Sequence, residues 1–382
     1  LPFADMITTM PGAMDCELLN AYYATEQGAE LTADQRAAIN GQLVAGACPF
    51  VEEVFGPTWS PAQGCDPSLA GQVYNPFFNP DGPLRCTPFD AHWRLFVPNR
   101  GEQPGVVVPP FDNSGVQYGL RAYQDGMIGL GQFLDLNQFV GGRGTDGQVV
   151  ADRTRANRAQ LERMYADGRV NQAGGDLRRI PIVLIDVFTD AAGDVHDRWR
   201  AFTIAERIGG GSSEPAPNVA LWTVQTPLTS QFTLADYFAT AGGTNLSALS
   251  LEALRAVDEW ATAAAEQAGD APAVDLAESR PDSAADRCQL ITGDVVTGPA
   301  VNRPGGACGD LPISGDPRTA AGADIEALVL ACTLRDIDLT DYRGELSTNA
   351  VARLERIFPD GVCDYERPGR GQVRLGEPYR EY

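Results

Sequence analysis

Two short stretches of the chain are apolar without interruption, and they set the fold class. IPIVLID at 180–186 and NVALWTVQT at 218–226 are rich in β-branched residues. That is the composition of strands buried on both faces of a parallel sheet, not the alternation of a sheet with one wet face. Between them, DRWRAFTIAERI places Trp199, Phe202 and Ile204 toward a core and leaves its arginines for water. The pattern therefore predicts strand, helix, strand, and a right-handed crossover makes the two strands parallel neighbours. Downstream, SALSLEALRAVDEWATAAAEQA carries Leu251, Leu254, Val257, Trp260 and Ala264 as one stripe, a helix expected to pack on that sheet.

Upstream the period changes. DCELLNAYYAT puts Leu18, Leu19, Tyr22 and Tyr23 on one helical face, with Asp15 expected to cap it, and Thr32 with Gln35 three residues on spells a capping box for a helix through Ile39 and Leu43. Further short helices are expected near 87–96, 117–137 and 151–167, around an irregular stretch rich in Pro, Gly and aromatics. The block 15–175 therefore reads as a mostly helical cap insertion, preceded at 1–14 by the exit from a core strand. Residues 176–270 read as the C-terminal part of an α/β core, and 271–382 as a disulfide-rich extension packing on it. Two buried parallel strands are too few for a doubly wound sheet, so the remaining strands are expected outside this chain.

Composition narrows the partners. The formal charge is -22, and all 29 basic residues are arginines, since the chain holds no lysine. Such a surface repels phosphate backbones and anionic lipid, which excludes nucleic acid as a natural partner. No run approaches the length of a membrane span. Eight cysteines with no CxxC spacing, in a chain with two histidines, fit disulfides better than zinc. They imply an oxidising, extracytoplasmic compartment. Pairing of sequence neighbours (Cys16 with Cys48, Cys65 with Cys86, Cys288 with Cys308, Cys332 with Cys363) is one of the connectivities the sequence allows.

The candidate chemistry sits just past the first strand, where parallel α/β sheets carry their reactive groups. Asp190 and His196 lie on one strand-end loop, TDAAGDVHD. A carboxylate that fixes the tautomer of an imidazole and steadies its protonated form makes that imidazole a general base. Asp190 is the first choice of acid, with Asp194 next and Asp5 a further candidate. The other histidine, His92, has helical spacing with Phe89, Trp93 and Phe96 and reads as a packing residue. No GxSxG occurs. Ser114 in DNSGV and Ser212 in GGGSSEP neither follow a strand nor open a helix, as a nucleophile elbow requires.

IPIVLIDVFTDAAGDVHDRWRAF resembles the penultimate-strand region of α/β-hydrolases, with Asp190 at the place of the triad acid. FADMITTMPGAMDCELL, the YNP and RCT of the cysteine loop, FDNSGVQYGL, QFLDLN, GDVHDRWRAF and FPDGVCDYERPG are together similar to the C-terminal half of a family of large secreted bacterial α/β-hydrolase-like proteins, known mainly as a domain of unknown function. The resemblance implies a secreted serine hydrolase of carboxylic esters, bulky or oligomeric ones among them, with an amide as the second candidate bond. His196 and Asp190 would be the acid/base half of the triad. The nucleophilic serine would come from an N-terminal half of the same precursor, separated by processing. No metal or organic cofactor is implied. The rival expectation is a noncatalytic secreted binding or assembly subunit on a degenerate hydrolase fold.

Overall fold

The computed structural model describes residues 6–59, 65–73, 78–84, 111–144, 148–173, 175–210, 216–225, 240–241, 244–268, 275–299, 301–303 and 305–376. Asp5, His92, Trp93, Ser212, Cys86 and the helix expected at 87–96 lie outside them. The fold is mixed α/β, with helices and small open sheets, and its residues divide into two compact units.

The first unit holds Gln42–Ala47 and Asn171–Gly315. Its four-stranded sheet is built on the two apolar runs. Strand Ile182–Phe188 pairs in parallel with Val219–Gln225 along its whole length, from Ile182 against Val219 to Phe188 against Gln225. Val219–Gln225 pairs in parallel with Arg287–Gln289, which pairs antiparallel with Val295–Thr297. The sequence pattern shows neither of the last two strands, since three residues are too few to display a period. Successive strand residues point to opposite faces, and each face finds a helix. Val183, Ile185, Val187, Ala220, Trp222 and Val224 share a cluster with Leu246, Leu249, Ala253, Ala256 and Trp260 of helix Leu246–Ala268. Ile182, Leu184, Val219 and Leu221 share one with Ile204, Ala205 and Ile208 of helix Trp199–Gly209.

Two expectations about these helices change. Leu251 and Leu254 are exposed, and the buried stripe of the long helix runs instead through Leu246, Leu249, Ala253, Ala256, Trp260 and Ala264. Small alanines let that helix lie close to the sheet. The arginines around the other helix do not face water: Arg198, Arg200 and Arg207 are all buried. Arg207 donates to the Asn171 carbonyl, and Arg200 stacks on Trp199.

The second unit holds the described residues of Asp5–Gly41, Cys48–Val170 and Asp316–Tyr382. Residues 6–14 do not leave a strand. They open helix Met6–Tyr23, which contains Pro11. Leu18, Leu19, Tyr22 and Tyr23 form its buried face, and the Thr32 capping box opens helix Ala33–Asn40. Asp15 is no cap: it lies within the helix, fully buried. Its carboxylate accepts from Tyr118 Oη at 2.5 Å and from Arg318 Nε at 2.8 Å.

The expected extension 271–382 is divided between the units. Residues up to Gly315 belong with the sheet, while Asp316 onward joins the helical unit. The later part is tied in by antiparallel strands Thr333–Arg335 and Val362–Asp364, by Cys363 N–H donating to the Gly115 carbonyl, and by Leu330, Leu354 and Phe358 in a core shared with Met14 and Leu19. Disulfides join Cys16 to Cys48, Cys288 to Cys308 and Cys332 to Cys363. Cys65 is bonded too, and its expected partner Cys86 lies outside the described residues. Three intramolecular bridges fit an oxidising compartment. Among the described residues no helix is long and apolar enough to cross a membrane.

Candidate functional site

The site is the connection from strand Ile182–Phe188 to helix Trp199–Gly209. After Phe188 the chain makes a single 3-10 turn, Asp190–Ala192, and reverses at Gly193 in the left-handed region with φ 68°. Only glycine fits easily there: a Cβ would lie 2.6 Å from Val44 Cγ2 and 3.3 Å from Ala47 Cα. Thr189 Oγ1 then donates to the His196 carbonyl at 2.8 Å and closes the loop on itself.

This turn decides which acid meets the imidazole. Asp194 Oδ1 accepts the His196 backbone N–H at 2.8 Å and lies 2.5 Å from His196 Nδ1. The Asp194 side chain is fully buried, while that of His196 keeps 24% exposure. Asp190, the acid expected first, is held elsewhere. Its Oδ2 accepts from the Arg198 backbone N–H at 3.0 Å and its Oδ1 from the Ser314 N–H at 2.8 Å. Arg198 is the residue before the helix and has no side-chain cap of its own, so Asp190 does the work of a helix cap and ties the loop to the segment before Gly315. Asp5 and His92 lie outside the described residues. Ser114 sits on a turn where its hydroxyl donates to Asp112 Oδ1, away from any strand-to-helix junction.

Beneath the loop is a second carboxylate that the sequence reading passed over. Asp186 is fully buried inside the strand, accepts from Thr223 Oγ1 at 3.0 Å, and lies 3.5 Å from Arg198 Nε. Burial pushes its pKa up to about 7, against the pull of Arg198 and Thr223. Arg198 is itself buried, donates through Nη1 to the Leu311 carbonyl at 3.1 Å and stacks over Phe202. One signal in the sequence pointed here: an aspartate inside an apolar, doubly buried strand must have partners, and arginine is the residue best built to supply them.

The resulting dyad has defined chemical roles. A carboxylate on Nδ1 holds the ring with Nδ1 as the protonated nitrogen and Nε2 as the basic one, and stabilises the imidazolium formed when Nε2 takes a proton. A family model described as a tannase-like family of unknown function (DUF6351) matches residues 1–374. The chain belongs to that family. Its relationship to tannases points to esterase-type hydrolysis as the chemistry to test in this tannase-like protein. No curated protein and no solved structure matches it.

Proposed function

We propose that this tannase-like chain is the acid/base part of a secreted serine esterase, with an α/β-hydrolase-like core and a large helical cap. His196 acts as general base and then general acid, and Asp194 orients it. Asp190 positions the loop. The hydroxyl nucleophile is supplied by a polypeptide segment that this chain does not own, since the chain has no GxSxG and Ser114 is turned to Asp112.

The observation that carries the reading is the 2.5 Å approach of His196 Nδ1 to a buried carboxylate while the ring retains access to solvent. It lies beyond the C-terminal end of a parallel strand, where α/β enzymes place reactive groups. The strand Ile182–Phe188 also ends the sheet order among the described residues, with Val183, Ile185 and Val187 only partly buried. An apolar edge of this kind calls for a covering strand, and the nucleophile-bearing segment would provide it. Acyl transfer then runs through attack of that serine on the ester carbonyl, with proton transfer to and from His196 Nε2 and backbone amides of the companion around the oxyanion.

The test is co-expression of this chain with the polypeptide encoded immediately upstream, followed by p-nitrophenyl ester turnover and labelling with a serine-reactive phosphonate. Label on the companion, lost with His196→Ala in a folded complex, supports the esterase. No turnover and no label, or turnover unaffected by His196→Ala, refutes it and leaves the noncatalytic binding subunit.

A further inference from the structure

The helical unit carries a pocket whose charge runs against that of the chain. Its volume is about 550 Å³, and its lining includes Arg153, Arg155, Arg353 and Arg356 against Asp152 and Asp360 as the acids. Across the whole sequence acids outnumber basic residues by 51 to 29, so the lining reverses the balance. Arg353 and Arg356 stand three residues apart on helix Thr348–Ile357 and therefore share a face of it. Arg153 and Arg155 lie in the segment ahead of helix Arg158–Ala166. Three of these guanidinium groups keep donors within reach of solvent. Arg155 Nη2 pairs with Asp360 at 3.0 Å, and half of the Arg155 side chain is exposed. Arg353 donates through Nη2 to Asp135 Oδ1 at 2.6 Å and through Nε to Gln138 Oε1 at 2.8 Å, which leaves Nη1 uncommitted among the described residues on a side chain 28% exposed. Arg356 is exposed and meets no carboxylate among the described residues. Arg153 is half-buried, donates to the carbonyls of Asn113, Val116 and Asn137 and lies over the rings of Tyr118 and Phe358, so its charge also has no carboxylate in contact. A cation withdrawn from water is stabilised by a counter-charge, and two of these four have none.

The rest of the pocket selects the kind of anion. Its volume lies within the range of small-molecule sites, and Val140, Ile357 and Pro359 offer apolar surface to a carbon skeleton. A guanidinium takes a carboxylate through two parallel hydrogen bonds, so several separate forks suit a molecule with more than one carboxylate. A macromolecular polyanion is disfavoured, because it would extend beyond the pocket into the field of a chain with net charge -22. A small anion inside feels mainly the groups within a Debye length, about 8–10 Å at ordinary ionic strength. We propose that this pocket binds a small aliphatic di- or tricarboxylate through Arg155, Arg353 and Arg356.

Calorimetry on the full chain tests this with citrate and succinate as probes and with acetate and inorganic phosphate as smaller anions. At about 20 mM NaCl the tighter of the two probes is expected to bind one site per chain with a Kd of about 0.1 mM, about tenfold or more below the Kd of acetate or phosphate. Raising NaCl to about 200 mM should weaken it by about fivefold through screening. Arg356→Gln, which breaks no ion pair among the described residues, should weaken the probe by about tenfold. Arg155→Gln should do about the same, and the exposed pair with Asp360 that it removes adds little to stability. Arg255→Gln deletes the same charge from the exposed face of helix Leu246–Ala268, in the sheet unit, and should leave the affinity unchanged. No binding of either probe up to about 10 mM at low salt, acetate or phosphate bound as tightly as the probe, affinity unchanged in Arg356→Gln, or an equal loss in Arg255→Gln overturns the proposal.

Discussion

In the helical unit Asp15 meets Arg318 and Tyr118 where all three are closed off from water, whereas in the sheet unit Asp194 is buried as deeply but its partner His196 reaches solvent. Burial raises the Asp15 pKa against the pull of Arg318 and Tyr118, so its charged form is held only as long as those partners stay in place. Nothing in that cluster offers a reacting molecule a proton acceptor. The imidazole at 196 does. The difference teaches that a buried carboxylate by itself marks an anchor, and that it becomes a candidate for chemistry when the group it orients has one face outside.

The sharpest way to break this comparison is to remove the buried acid of each unit, and the imidazole itself, in turn. In the complex with a nucleophile-bearing companion, His196→Ala, which removes the base, and Asp194→Asn, which leaves the ring in the wrong tautomer, are each expected to lower kcat by about 10⁴-fold, about 5.5 kcal/mol of transition-state stabilisation. A fall of less than tenfold for Asp194→Asn would place the orienting acid elsewhere. Asp15→Ala should do the reverse, leaving turnover per folded molecule intact but destabilising the chain by about 3–5 kcal/mol in urea denaturation, since it strands Arg318 without its counter-charge. A neutral Asp15→Ala would show that water replaces the carboxylate and that the cluster is not an anchor.

Asp186 sharpens the comparison from beneath the loop. Its folded pKa of about 7 stands above the ordinary 3.8, so the folded chain holds a proton there that the unfolded chain has lost. The stability this contributes is complete below about pH 3.8 and disappears as pH rises through about 7. Asp186→Asn, which resembles the protonated acid, should therefore gain on the parent protein between pH 5 and pH 8 in matched urea titrations. Arg198, Thr223 and Asp190 are the groups that bear on Asp186. A constant difference between the two proteins across that window would mean that Arg198 keeps Asp186 ionised throughout.

Much of this was legible in the residues, and the failures share a cause. The two apolar strands, the Thr32 capping box and the face of Leu18, Leu19, Tyr22 and Tyr23 all follow from local pattern, whereas the pairing of Cys16, Cys288 and Cys332 with their sequence neighbours is one of several that the sequence allows. Leu251 and Leu254 misled because alanine carries little signal, so a buried face made of Ala253, Ala256 and Ala264 is invisible beside exposed leucines. Arg198 and Arg207 read as water-facing in the sequence because their partners, Asp186, Leu311 and Asn171, are distant in sequence or lie within an apolar strand. His196 stood out by rarity. The choice between Asp190 and Asp194 turned on a left-handed glycine, whose conformation the sequence permits without specifying.

The smallest effect separates those two acids most cleanly. Asp190 satisfies two backbone N–H groups, at Arg198 and at Ser314, and both bonds survive only partly in an amide, which presents one good acceptor where the carboxylate presents two. Asp190→Asn should therefore cost about 1–2 kcal/mol of stability, the scale of a lost helix cap or a neutralised charge-assisted bond. It leaves Asp194 on Nδ1, so kcat should fall by less than tenfold. If Asp190→Asn instead lowered kcat by about 10⁴-fold and left stability alone, the roles of the two carboxylates would have to be exchanged, because the acid on Nδ1 is the one that fixes the tautomer of the ring.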